Sequence, residues 1–498
     1  MMHTTISTLG ELKQSGWKSR SVKQELRENL ILKIRNHEPL FPGILGYDKT
    51  VIPQIIQAIL AKHDILLLGL RGQAKTRLLR SLVSLLDEYM PEIDGSELHD
   101  DPYQPISKFG KHILSVKGDD TPIRWVHRNE RYAEKLATPD TTVADLIGDI
   151  DPIKAATKKL NLSDEEVLHF GLIPRTNRCL FVINELPDLQ PRIQVALLNI
   201  MQERDIQIRG FTVRMPLDIG IYFSANPEDY TNRGNIITPL KDRIDSQIIT
   251  HYPKELQHGI EITQQEAWIN RDAVTVGVPH FIKEIVEMIA FEGRKSEYID
   301  QKSGISARMS ISAMEQLVSA AERRAIWNNE SETVTRLLDI YQILPALTGK
   351  LELVYEGEQE GAGNVAKHLI GKAIREVFIQ YFDHPQPEKK KKEPSKTEQV
   401  YQTVTDWFAQ GNTVELEDMM SELSYRAQLD RVSGLSLLAG KFSNQNDAAM
   451  QYVMMEFILE ALYQYSKLGK QADEDGTAYK DMLGSMLGGI QFDFEDDI

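Results

Sequence analysis

The sequence predicts an α/β domain built on a parallel sheet, followed by an all-helical region and a helical C-terminal extension. Two observations predict it. Up to about residue 252, short runs that are apolar throughout alternate with longer stretches of helical spacing, as in a sheet covered on both faces. Beyond that point, strand signals largely disappear and the 3.6-residue period dominates.

Residues 1–35 read as a polar, mixed-charge, partly helical lead-in with no assignable chemistry. From residue 36 to 252, strands are expected at Ile65–Leu68, Ile123–Val126, Leu180–Ile183, Ile219–Ser224 and Gln247–Thr250, with helices over Lys75–Met90 and Pro191–Glu203. A helical domain over 253–383 follows, carried by His280–Phe291, Ile311–Trp327 and Val365–Phe382. Residues 384–398 hold the stretch HPQPEKKKKEPSKT, almost free of apolar groups, and read as a Lys/Pro linker. The last part, 399–498, is expected to be helical, most strongly over Ala448–Leu468, and to end in the acidic run Phe492–Ile498.

Composition narrows the function. At 26% charged and 41% hydrophobic residues the chain is neither a disordered nor a small disulfide-stapled protein. The net charge of −16 makes nucleic acid and anionic membranes poor partners. That charge is uneven, because residues 401–498 hold 17 acidic against 6 basic side chains. A regulatory or docking role is expected there first. A single cysteine, Cys179, and the lack of a signal peptide or a spanning apolar run point to the cytoplasm.

The chemistry concentrates at the ends of the expected strands. After Ile65–Leu68 comes Gly69-Leu-Arg-Gly72-Gln73-Ala74-Lys75-Thr76-Arg77, leading into a helix. A strand, a glycine-bearing loop and a helix N-terminus turn backbone N–H groups toward an anion, as a P-loop does for ATP. In that arrangement Lys75 reaches the β and γ phosphates and Thr76 binds Mg²⁺, although Ala74 stands in place of the loop's second glycine. Leu180–Ile183 ends in Asn184-Glu185, which a parallel sheet places at its carboxyl edge. In a nucleotide hydrolase the first supports Mg²⁺ and the second polarises the attacking water. Asn184 brings no negative charge to the cation, so weaker Mg²⁺ binding and slower turnover are expected. The strand Gly220–Ala225 ends in Asn226, an amide able to orient that water. Arg243 in LKDRID and Arg308 in GISARMSI are candidates for permanently charged contacts to a transferring phosphoryl group.

Taken in order, GLRGQAKT, LFVINE, SANPE, LKDRID and GISARMSI resemble an AAA+ ATPase of the magnesium-chelatase ATPase-subunit and MoxR group. The loop form GxPGxAKT, usual in MoxR-type members, accommodates Ala74. Asp145–Pro152 looks like the group's insertion, Phe170-Gly171-Leu-Ile-Pro its approach to the acidic strand, and Arg204–Met215, turning at Arg209-Gly210, its hairpin before the sensor strand. The resemblance implies that Lys75 and Thr76 bind phosphate and Mg²⁺, Glu185 is the catalytic carboxylate and Asn226 the first sensor. Arg243 then takes the arginine-finger position and Arg308 the second sensor, both serving interfaces of a ring that is usually a hexamer. A partner with a von Willebrand factor A domain is common in the group. The expected function is therefore a ring-forming ATPase that remodels or activates a partner protein. A nucleotide-gated scaffold with little turnover and the chelatase subunit itself are the alternatives. A σ⁵⁴-activating or DNA-translocating ring ranks last, since GAFTGA and a basic stripe are both missing.

Overall fold

The computed structural model describes residues 6–151, 153, 157, 167–203, 206–208, 211–213, 215–227, 234–385, 396–440, 448–472 and 476–482. Its chain divides into two compact units, Met1–His251 and Tyr252–Ile498.

The first unit is organised by five parallel strands, β1 (Ile65–Leu68), β2 (Tyr132–Leu136), β3 (Cys179–Asn184), β4 (Ile219–Ala225) and β5 (Ser246–Ile249), in the spatial order β5-β1-β4-β3-β2. Side chains alternate across a strand, and here both sets are buried. Leu66, Phe181, Ile183, Ile221 and Phe223 enter one apolar core, packed under the helices Pro191–Glu203 and Thr238–Arg243. Ile65, Leu67, Leu180, Val182 and Tyr222 enter a second core on the opposite face, under the helices Val22–Arg35, Val51–Leu60 and Lys75–Ser81. This two-sided burial is why the strands read as unbroken apolar runs.

Residues 22–35 are integral to this unit rather than a lead-in. Val22, Leu26 and Leu30 are buried in the second core. On the same helix, Glu25 accepts two 2.7 Å hydrogen bonds from the guanidinium of Arg131, and both side chains are almost fully buried. Arg131 also donates to the Arg178 carbonyl, and Glu25 accepts the Asp87 N–H at 2.7 Å.

Three expectations are corrected here. The helix from Lys75 ends at Ser81, passes into a 3₁₀ turn over Leu82–Leu85, and gives way to a strand, Tyr89–Ile93. Leu82 and Leu85 are three apart, so a tighter turn keeps both on the core. The strand Ile123–His127 lies outside the main sheet and pairs antiparallel with Tyr89–Ile93. Third, neither the region 253–383 nor the C-terminal segment is helical throughout: Thr275–Gly277 pairs in parallel with Glu332–Val334, and Val414–Glu417, Gly469–Ala472 and Gly476–Lys480 form an antiparallel sheet.

Of the segments singled out by resemblance, Gly148–Ile150 pairs antiparallel with Leu168–Phe170, and Ile206–Ile208 with Phe211–Val213. Pro152, Arg204, Arg209 and Gly210 lie outside the described residues, as do Phe492–Ile498 and the Lys/Pro stretch 386–395.

The second unit contains the helices His280–Gly293, Ala307–Trp327, Ala362–Tyr381 and Ala448–Gln464 around one apolar core. Residues on both sides of the linker share that core: Phe457 stacks on Phe281 at 4.8 Å and meets Phe378 edge-on at 5.4 Å. Two buried carboxylates fasten the join. Glu456 accepts the Leu337 and Leu338 N–H groups at 2.9 and 3.0 Å and the Tyr425 hydroxyl at 2.8 Å. Glu460 accepts the hydroxyls of Tyr341 and Tyr479, both at 2.6 Å, and Lys470 Nζ at 2.8 Å. Burial alone would disfavour its ionisation, but Lys470 and the two hydroxyls outweigh it and hold Glu460 below the usual carboxylate range. No helix among the described residues is long and apolar enough to cross a membrane.

Candidate active site

The order β5-β1-β4-β3-β2 sets the geometry of the site. β4 lies between β1 and β3, so the residue after β4 falls between the loop after β1 and the carboxylate after β3, all at the carboxyl edge of the sheet. Lys75, 7% exposed, donates from Nζ to the carbonyls of Gly69 and Leu70, the latter at 2.9 Å, and to Asn226 Oδ1 at 2.6 Å. Asn226 Nδ2 in turn donates to Glu185 Oε2 at 2.9 Å. Lys75, Asn226 and Glu185 thus form one hydrogen-bonded relay. On its flank, Asn184 Oδ1 accepts from Ser224 Oγ at 2.8 Å and from Thr76 Oγ1 at 3.5 Å.

The loop is held open by its backbone. A Cβ at Gly69 would overlap Thr250 Oγ1 and Gln73 Oε1, so a side chain there would push apart the hydrogen-bonded pair that those two atoms form. Gly72 has φ 72° and Ala74 φ 55°, both left-handed, and Ala74 immediately precedes the helix Lys75–Ser81. For alanine that conformation costs on the order of 1–2 kcal/mol. Glu185 is also left-handed, at φ 56°. Strain of this kind at two positions of one crevice marks a site whose geometry is imposed by its surroundings.

Gln73 braces the loop. Its side-chain oxygen accepts from Thr250 Oγ1 at 2.7 Å and its carbonyl from the Tyr47 hydroxyl at 2.9 Å. Tyr47 also donates to the His251 carbonyl at 2.7 Å. Tyr47, Ser224 and Thr250 are absent from the residues expected from sequence. Thr250 was detectable, since it closes β5 at the same sheet edge; Tyr47 had no local signal.

The remaining candidates stand apart from this relay. Arg77 is exposed on the helix that follows the loop. Arg243 Nε donates to Gln202 Oε1 at 2.8 Å and Nη1 to the Pro239 carbonyl at 3.2 Å, and among the described residues no hydrogen bond joins it to Lys75, Thr76 or Glu185. Arg308 belongs to the second unit, exposed in the first turn of the helix Ala307–Trp327, which Ser306 caps by accepting the Arg308 N–H at 3.1 Å.

The donors present fit a nucleotide that brings its own cation. A buried ammonium hydrogen-bonded to two carbonyls and an amide oxygen can exchange one of them for a phosphate oxygen. Thr76 offers one hard oxygen ligand and Asn184 a second, while no group of three or more His, Cys, Asp or Glu able to hold a metal ion occurs among the described residues. Asn184 also makes a charge test available. Asn184→Asp keeps the same acceptor for Ser224 and Thr76 and adds a negative charge, worth about 2 kcal/mol to a divalent cation ~4 Å away even under water-like screening. The Mg²⁺ concentration for half-maximal nucleotide binding is expected to fall at least about tenfold. An unchanged Mg²⁺ titration would mean that position 184 does not face the cation.

No family model matches the chain. Over 236 residues, 46% of this chain and 53% of the relative, it is 24% identical to magnesium-chelatase subunit ChlI-2, chloroplastic, of Arabidopsis thaliana. Over 238 residues, 44% of this chain and 60% of the relative, it is 24% identical to chaperone MoxR1 of Mycobacterium tuberculosis. The match thus spans little more than half the length of these relatives. Among solved structures, the complex of magnesium-chelatase subunits BchI and BchD aligns at 17% identity and a TM-score of 0.33, covering 64% of this chain and 98% of that one.

Proposed function

From distant homology to the magnesium-chelatase ChlI and MoxR AAA+ ATPases, and a five-stranded parallel sheet followed by a helical region, we propose that the chain is a ring-forming ATPase. It binds ATP with Mg²⁺ at Lys75 and Thr76, hydrolyses it with Glu185, and uses the cycle to remodel or activate a partner protein. The observation that carries this reading is the relay Lys75–Asn226–Glu185. Bound ATP supplies the phosphoryl group and the electrostatic load that Lys75 neutralises. Lys75 then trades a neutral acceptor for a phosphate oxygen, and Asn226 is the acceptor whose release reaches Glu185. Freed from Lys75, Asn226 keeps its amide on Glu185 and turns its oxygen to the water that the carboxylate orients.

Arg243 and Arg308 are the groups we assign to subunit interfaces, which makes a ring, in the hexameric form usual for the group, the working assembly. The partner class proposed is a protein with a von Willebrand factor A domain, on the strength of the family resemblance, and the cytoplasm is the proposed compartment. Asn184 favours a second reading, a nucleotide-gated scaffold with little turnover. Phosphate release and particle mass, measured together with ATP and Mg²⁺ on the wild type, Lys75→Ala and Glu185→Gln, separate the two. A wild type that assembles on ATP but releases no phosphate supports the scaffold. Equal and measurable release by all three proteins refutes the site.

A further inference from the structure

The second unit begins at Tyr252, covalently next to the two residues that brace the phosphate loop: Thr250, bonded to Gln73, and His251, whose carbonyl accepts from Tyr47. Within the second unit, the guanidinium of Arg294 lies over the Tyr252 ring, 4.3 Å from its centre. Arg294 Nε also donates to the Ile305 carbonyl at 3.1 Å. Ile305 is fully buried and seated where Gly293 leaves room, since a Cβ at 293 would overlap Ile305 Cδ1. One residue on, Ser306 caps the helix that carries Arg308. Arg294 therefore touches both the first residue after the loop brace and the segment that aims Arg308. On the helix His280–Gly293 that it caps, its neighbours are Phe291, 5.3 Å from ring centre to guanidinium, and the buried Glu287, to which Thr263 donates.

We infer that Arg294 is a positioning residue that couples the Thr250–Tyr252 segment to Arg308, so that a change at the phosphate loop alters the presentation of Arg308. The inference rests on the nucleotide site proposed above. A planar guanidinium is needed for both contacts at once, because lysine keeps the charge but loses the flat face and the Nε–H.

The test compares the wild type, Arg294→Lys, Arg308→Ala and the double variant, with Lys75→Ala as the control for nucleotide binding. Arg294→Lys is expected to lower kcat about tenfold while leaving the Kd for ADP and the thermal midpoint near wild type. Because Arg294 acts through Arg308, the double variant is expected to turn over no more slowly than Arg308→Ala alone. In hydrogen exchange, ADP is expected to change the protection of residues 303–308 in the wild type and not in Arg294→Lys. This readout needs no hydrolysis. Losses that multiply in the double variant, an unaltered exchange response in Arg294→Lys, or a lower thermal midpoint in place of the kcat effect would each overturn the coupling. If the wild type and Lys75→Ala fail equally to bind ADP, the nucleotide site itself is wrong, and so is the coupling built on it.

Discussion

Glu185→Gln lowers the rate of phosphate release by about a hundredfold or more and leaves ATP binding in place. Glutamine can still accept from Asn226 Nδ2, as Glu185 does at 2.9 Å, so the relay and the left-handed backbone at 185 have no reason to rearrange. What is removed is the negative charge that draws a proton from the attacking water, a contribution of roughly 10²–10⁴ in rate. Lys75→Ala gives the complementary pattern. It strips the ammonium hydrogen-bonded to the Gly69 and Leu70 carbonyls, and with it the phosphate contact, so nucleotide affinity falls before turnover can be measured. Equilibrium binding of a fluorescent ATP analogue, run beside phosphate release, distinguishes these outcomes. Glu185→Gln failing to bind, or hydrolysing within threefold of the wild type, contradicts the assigned role.

Arg131→Ala destabilises the first unit by about 3–5 kcal/mol. The figure is large because the loss is one-sided: Glu25 stays behind, 5% exposed, and among the described residues the Asp87 N–H is the one hydrogen bond left to its carboxylate. For a domain of ordinary stability, about 5–15 kcal/mol, that is roughly a fifth of the total or more. Urea unfolding is expected to show a lower midpoint at an unchanged slope. Replacing both partners by methionine should recover most of the loss, since two apolar side chains leave no unpaired charge. A drop below about 1 kcal/mol for Arg131→Ala would show that the helix Val22–Arg35 is held by its apolar face alone, and no recovery in the double variant would assign the loss to the bonds with the Arg178 carbonyl and the Asp87 N–H instead of the unpaired charge.

The relay was largely legible in sequence because it is local in an unusual way. Each member follows a strand that is apolar on both faces, so the switch from apolar to polar at Gly69, Asn184 and Asn226 marks the sheet edge without any knowledge of the neighbours. The order of the strands was not legible. That β4 lies between β1 and β3, and therefore that Asn226 bridges Lys75 and Glu185, depends on distant pairings, Ile65 with Tyr222 and Cys179 with Ile219. Tyr47 escaped for the same reason. The 3₁₀ turn at Leu82–Leu85 was hidden because leucines at three- and four-residue spacings serve either helix type. Gly469–Ala472 and Gly476–Lys480 carry few β-branched or aromatic residues, and their pairing with each other, with Val414–Glu417 on the far side of Gly476–Lys480, supplies what their own propensity does not.

The carboxylates Glu456 and Glu460 alter what a cut in the chain would do. They bind, from the far side of the linker, the N–H groups of Leu337 and Leu338 and the Tyr341 hydroxyl, while Phe457 fills the space between Phe281 and Phe378. A protease nick between residues 386 and 395 is therefore expected to yield two bands on a denaturing gel and a single species in gel filtration. Ending the chain at residue 383 by a stop codon is a different event, because the helices would then form without the aromatic and acidic groups that complete their interior. The acidic segment is then expected to act as one half of a fragment pair: dispensable as a covalent continuation and indispensable as a partner.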